Sequence, residues 1–265
     1  MASLAAPLEA PRFSIGRVFQ RAFDTVRRRP AVSIALSILF GAAPGVGLDT
    51  WLSQIDQSAL VLTIAGHPLP GIVALAFCEM LVGVVFGVVM QGALVALVSA
   101  GEGVQRISVV ALFGPFARSL LPLAGLGLVT ALGFGIGVTL LIVPGLLVYL
   151  MWSVAPSALV VEREGLFMAL NRSQDLTEGA RWKVFGVLLL LDVLSGVLGF
   201  VAGFTLALLF GSGVLGAGTI SHVLVLGLTR VVSCLAWATV LSSIYVELVR
   251  WKEGKGVEAL EQVFI

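Results

Sequence analysis

Three ionisable residues fall inside apolar runs of the chain: Glu79, Asp192 and Arg230. A charge within a membrane interior is expensive, so each is a candidate for ion pairing, proton relay or substrate contact. Counted back from the basic ends of their runs, Glu79 and Arg230 both fall near the opposite boundary and could pair across two helices. The alternative is that each reaches headgroups or water alone, as long side chains readily do. Asp192 is different: it lies about two turns into its run, roughly 12 Å deep at 1.5 Å per residue. A relay carboxylate would look like this, but relays use several ionisable groups. A lone Asp hydrogen-bonded to neighbouring Ser or Trp donors is the simpler expectation.

The remaining reactive residue types point to no chemistry. Cys78 and Cys234 both sit in apolar runs, as buried thiols do, and form no disulfide framework of the secreted kind. His222 is expected at an interface and has no partner at metal-ligand spacing. The chain has no P-loop, no His-Glu-x-x-His, no Gly-x-Ser-x-Gly elbow and no paired-Cys motif. No catalytic, cofactor-binding or metal residue is therefore named, no cofactor is expected, and the protein is not expected to be an enzyme.

The elements that position these residues are membrane helices. Of 265 residues, 58% are hydrophobic and 12% charged, and mean hydropathy is +1.08. Soluble domains are about 25% charged, so an ordinary soluble globule is excluded. The expected fold is all-α: a polytopic membrane protein of six transmembrane helices with short cytoplasmic amphipathic helices. Spans are expected at Ala31–Leu48, Gly71–Ala100, Leu120–Leu141, Leu146–Val161, Trp182–Phe210 and Val231–Val249. Residues 1–29 form a cytoplasmic N-terminal segment, 30–249 the membrane domain and 250–265 a cytoplasmic tail. No cleavable signal peptide is expected in the Arg-rich start.

Several local features refine this outline. Ser14 is placed to cap an amphipathic helix to Arg29, with Val18, Phe19, Ala22, Phe23 and Val26 on one face. Pro30 suits the start of span one. Small residues four apart suggest close helix contact: Ser37, Gly41 and Gly45, then Gly83 and Gly87, then Gly133 and Gly137. Residues 49–70 form a polar connection. Ser108 is placed to cap a short helix limited by Pro115. Pro144 and Gly145 allow a tight reversal, and Pro156 kinks span four, with the neighbour across that turn helping to satisfy the freed carbonyl. Leu166, Phe167, Ala169, Leu170 and Ser173 mark an amphipathic helix, and Thr177 is placed to cap span five. Thr219–Leu228 is either an interfacial helix or a tilted extension of span six. The tail places Val257, Leu260, Val263 and Phe264 at helical spacing. An amphipathic helix before spans one, three and five would make three similar units.

Orientation follows from the basic residues. Every Lys and Arg except Arg230 falls in the N-terminal segment, 101–119, 162–183 or the tail, and none in 49–70, 142–145 or 211–218. The positive-inside bias then puts both termini in the cytoplasm. Basic residues beside a span favour anionic headgroups, at about 1 kcal/mol each, over nucleic acid. Membrane lipids are the expected partners, and a homo-oligomer or a protein partner is left open.

Val143-Pro144-Gly145, Trp152, Pro156, Val160-Val161-Glu162, Ala169-Leu170-Asn171-Arg172-Ser173 and Leu176-Thr177-Glu178-Gly179 resemble one bacterial family. Phe13-Ser14-Ile15-Gly16-Arg17, Tyr245-Val246-Glu247-Leu248 and Lys252-Glu253-Gly254 extend the likeness to both ends. That family comprises poorly characterised six-span inner-membrane proteins related to the membrane domain of some glycerophosphodiester phosphodiesterases. The resemblance implies a bacterial inner-membrane location. It does not imply hydrolysis, because this chain shows no acidic and His metal-site pattern and no room for that enzyme domain. The functional expectation is a structural or accessory membrane protein, in envelope or lipid homeostasis. The alternative is a small-molecule or lipid transporter with Asp192 in the pathway.

Overall fold

A computed structural model of the chain describes residues 13–52, 61–64, 67–99, 109–163, 165–210 and 220–253. Helix α1 (Ile15–Arg28) precedes span one, which comprises α2 (Pro30–Ser37), a π-helical turn (Ile38–Ala42) and α3 (Ala43–Leu52). β1 (Val61–Ile64) and β2 (His67–Pro70) form an antiparallel hairpin, with Val61 opposite Pro70 and Ile64 opposite His67. Span two is α4 (Gly71–Ser99) and span three is α5 (Val109–Leu140). Span four is divided into α6 (Ile142–Trp152) and α7 (Ala155–Glu162). After α8 (Leu166–Thr177), α9 (Arg181–Phe210) and α10 (Ile220–Glu253) form spans five and six. Six helices are long and apolar enough to cross a membrane, so the protein is an all-α multi-pass membrane protein. Six crossings bring both ends to one face, the termini face; the other is the hairpin face.

Several boundaries differ from expectation, each for a local reason. Span one continues past Leu48 through Leu52, so Asp49 sits on its last turns rather than in a connection. Its π turn lies just before Pro44, whose ring crowds the carbonyl four residues back; a wider turn accommodates it. The connection after it holds the hairpin, where β-branched Val61, Thr63 and Ile64 favour extension. Pro115 does not end a helix: α5 runs unbroken from Val109, so no separate amphipathic helix precedes span three. The reversal into span four is made by Leu141 alone, in extended conformation, and Pro144 and Gly145 fall in the first turn of α6. Gly145 nevertheless enables that reversal, since a Cβ there would come within 2.5 Å of the Val138 backbone nitrogen. Thr177 ends α8, donating to the Ser173 carbonyl at 2.8 Å, and does not cap span five. Residues 220–253 are one helix, so the stretch up to Leu228 extends span six. Ser108, the 211–218 loop and the tail positions Val257, Leu260, Val263 and Phe264 lie outside the described residues.

Packing is uneven through the membrane. The buried apolar residues gather in the half near the termini face: Met90, Leu94, Leu123, Leu126, Val154, Leu159, Val184, Ile244 and Leu248 are typical. There α4 is central, contacting span one, α5, α7 and α10. Against this half lie α1, burying Val18 and Ala22, and α8, burying Ala169, Leu170, Ser173 and Leu176. Phe23 and Phe167 point outward instead, each more than two thirds exposed, where headgroups and acyl chains would meet them. Span five is peripheral, and beyond Leu191 its Val193, Leu194, Val197 and Phe200 are all exposed. The hairpin half is looser, and the space it encloses is the feature of interest.

Candidate functional site

A cavity of about 300 Å³ opens among spans one, two, three, four and six, in the hairpin half. Helical small-residue positions create it. Expected to pack closely, Gly83 and Gly87 meet nothing within 4 Å of where a Cβ would sit, and both line the cavity. The other two stripes do pack closely. A Cβ on Gly41 would lie 2.5 Å from the Cys234 sulfur, and one on Gly45 would lie 3.3 Å from an Arg230 guanidinium nitrogen. Gly133 faces the Trp152 ring, and Gly137 faces Gly145. So span six is held against span one while span two is kept back. Phe40, within the π turn, Phe86, Tyr149, Trp152 and Trp237 supply aromatic rings to walls otherwise built of aliphatic and small residues.

Glu79 and Arg230 line the charged end of the cavity, and Asp49, next to that lining, completes a triad. The Nη2 of Arg230 donates to Glu79 Oε1 at 2.9 Å and to Asp49 Oδ2 at 3.0 Å. The structure thus brings Glu79 and Arg230 together. It adds Asp49, which sequence reasoning placed in a loop by ending span one too early. The three side chains are 20–41% exposed, so they mark an accessible mouth. One guanidinium faces two carboxylates here, leaving a negative surplus. Cys78 is exposed, whereas Cys234 is partly buried beneath Gly41.

The deep end is closed by neutral polar groups around the break in span four. Gln91, almost fully buried, donates from Nε2 to the Ser153 carbonyl and to Ser157 Oγ, each at 3.1 Å. The break follows from Pro156, which has no N–H to give, and the Ser157 N–H bonds to Val154 rather than to Ser153. The freed carbonyl is therefore served by span two, not by span three across the turn as expected. Ser173 of α8 donates to the Met151 carbonyl at 2.6 Å, closing the same break from the termini side. Two cavity-lining atoms, Thr130 Oγ1 and Trp152 Nε1, are buried and have no hydrogen-bond partner among the described residues.

Asp192 is elsewhere. It lies on the exposed side of α9, does not line the cavity and makes no hydrogen bond among the described residues. No Ser or Trp donates to it among the described residues, although Ser195 stands one turn on along α9. His222 falls in the first turn of α10. Among the described residues no group of His, Cys, Asp and Glu could hold a metal.

A second ionic cluster ties the termini face together. Glu247, 1% exposed, accepts from the Ser14 backbone N–H at 3.2 Å and from Arg17 Nη2 at 2.6 Å, with Arg21 3.7 Å away. Ser14 occupies the N-cap position of α1 but its side chain makes no capping bond; the carboxylate of α10 takes that role. Burial holds the Arg21 pKa below its ordinary value; Glu247 opposes this, and Arg250 and Arg17 add to it. Arg172 donates to Glu162 at 2.8 Å and to Glu253, and Tyr245 donates to Glu162 at 3.0 Å. Burial would lower the Arg172 pKa, but its hydrogen bonds to both carboxylates outweigh it and raise it above the usual arginine value. Lys252 donates to the Asp175 carbonyl. These contacts join α1, α7, α8 and α10 into one plate.

No family model matches the chain, and no solved structure matches it.

Proposed function

We propose that the protein is an accessory inner-membrane protein that binds a small amphipathic molecule or lipid in its hairpin-half cavity, in the service of envelope or lipid homeostasis. The observation that carries this reading is the cavity itself. It is closed at the termini face by a solid core, carries aromatic rings in its walls and is charged at its mouth. About 300 Å³ sits at the lower end of small-molecule sites, which are concave, mostly apolar and sparingly polar. No catalytic role is assigned to any residue.

The orientation that accompanies this reading puts both termini in the cytoplasm of a bacterial cell. Arg17, Arg21, Arg27, Arg28, Arg29, Arg163, Arg172, Arg181, Lys183, Arg250 and Lys252 all fall toward the termini face, as the positive-inside bias requires. The exposed Phe23 and Phe167 beside them support contact with anionic headgroups. The resemblance to the six-span family related to phosphodiesterase membrane domains is kept as part of the proposal, for its lipid context alone.

Transport is the second reading, favoured by one observation. The cavity is flanked by two interrupted spans, at the π turn of span one and at Ser153–Val154 of span four. Transporters place binding sites at such breaks. In that reading the path runs past Glu79, Arg230 and Gln91, and Asp192 takes no part. Purification with native lipids, followed by mass spectrometry of the co-purifying molecules, tests the binding reading. Wild type should carry a species that Gly87→Leu, which fills the cavity, does not. Identical lipid profiles would refute it.

A further inference from the structure

We infer that the cavity selects an amphipathic cation: an ammonium group held at Glu79, beside the Arg230–Asp49 pair, with an apolar body among Phe40, Phe86 and Trp237. The inference rests on the proposed binding reading and deepens it. Three observations carry it. The guanidinium Nη2 of Arg230 is engaged by both carboxylates at 2.9 and 3.0 Å, which disfavours its capture by an anionic headgroup. The mouth keeps a negative surplus that a ligand cation would neutralise. Behind the mouth stand Phe40, Phe86 and Trp237, whose rings suit the apolar body that such a cation carries.

A fourth observation concerns the occupant's body. Thr130 is 4% exposed, and its hydroxyl oxygen has no partner among the described residues although it lines the cavity. Trp152 Nε1, also lining it, is a donor in the same state. Buried polar atoms of this kind are matched in native proteins, so the occupant's body carries a hydrogen-bonding oxygen or nitrogen that meets them. The ammonium has two sources, a free amphipathic amine or the headgroup of an amine-bearing lipid, and both present the same chemistry to the mouth.

The test uses the full chain in neutral maltoside micelles and three bromine-bearing probes of equal length: 6-bromohexyltrimethylammonium, 6-bromohexan-1-ol and 6-bromohexanoate. Bromine quenches tryptophan fluorescence; Trp152 and Trp237 line the cavity, and the quenching left in Gly87→Leu, which fills it, is subtracted as that of the exposed Trp51 and Trp182. The ammonium should bind about tenfold more tightly than the alcohol, the scale of one ion pair at a partly exposed mouth, and the carboxylate more weakly than both. Glu79→Gln with Asp49→Asn should erase the preference, and an unchanged helical circular dichroism spectrum reports that the variant is folded. Should that variant fail to fold, the wild-type order of the three probes decides. An alcohol or carboxylate that binds as well as the ammonium overturns the cation inference but leaves a binding cavity. Absence of quenching by all three overturns the binding reading itself. Competition identifies the source: displacement by phosphatidylethanolamine but not phosphatidylglycerol indicates a lipid headgroup, and displacement by neither indicates a free amine.

Discussion

Gln91 of span two donates to the main-chain carbonyl of Ser153 in span four, 3.1 Å away and shielded from solvent. This one side chain supports the break that forms the cavity floor. A glutamine inside an apolar run looks like a defect in sequence, because its partner is a backbone carbonyl left free where the helix breaks before Pro156, as the Ser157 N–H turns to Val154. The relationship makes the pair Gln91 and Pro156 testable as a unit. Gln91→Leu leaves a buried carbonyl without a donor and should cost about 1–3 kcal/mol. Pro156→Ala gives the chain back an N–H and lets the helix close, so the double variant should be less destabilised than the sum of the two singles. Thermal unfolding in detergent measures both. Strict additivity would mean that Gln91 does not serve the break.

The triad makes an asymmetric prediction. Glu79→Gln leaves Asp49 and Arg230 as a balanced pair, whereas Arg230→Gln leaves two carboxylates facing one another. The side chains are partly exposed, so Glu79→Gln should cost about 1 kcal/mol or less. Arg230→Gln should cost clearly more, and adding Glu79→Gln to it should recover stability. A melting series on the three variants reads this directly. Equal losses for the two single variants would argue against a shared site.

How far these residues were legible in the chain depends on what each one touches. Hydropathy and the placement of Lys and Arg reveal the six spans because those signals are carried by whole segments. Glu79 and Arg230 stand out because a charge in an apolar run is conspicuous on its own. Asp49 was hidden by a boundary drawn a turn too early, since a polar residue at a span end looks like the start of a loop. Gly83 and Gly87 were misread because spacing shows that a face is smooth, and only the neighbours decide whether smoothness means contact or space. Pro115 and Pro144 misled in the same way. A proline restricts its own turn, but neighbouring helices decide whether the chain stops there.

Glu247 anchors the plate at the termini face. It is about 26 Å along α10 from Arg230 at 1.5 Å per residue, so one helix carries an ionic site near each membrane boundary. Glu247→Gln removes the buried carboxylate that receives Ser14 and Arg17. It should cost about 2 kcal/mol, the scale of hydrogen bonds to a charged group, and should loosen α1. Limited proteolysis after Arg21 or Arg27 should then speed up in the variant. Unchanged cleavage would show that α1 is held by its apolar face alone.

Asp192 provides the sharpest contrast with the sequence expectation. It is exposed and does not line the cavity, and a carboxylate with no hydrogen bond among the described residues, at membrane depth, is a cost rather than an asset. Asp192→Leu should therefore leave probe binding at the cavity unchanged and should keep or raise the melting temperature in lipid nanodiscs. Asp192→Asn should behave similarly but with a smaller gain, because an amide still carries polar atoms into the acyl region. A relay carboxylate would give the opposite result, with function lost in both variants and stability little changed. If either substitution abolishes binding of the probe that wild type prefers, span five contributes to the site in a conformation other than the one described. The comparison of these two variants with Gln91→Leu separates a wall of the cavity from its surroundings.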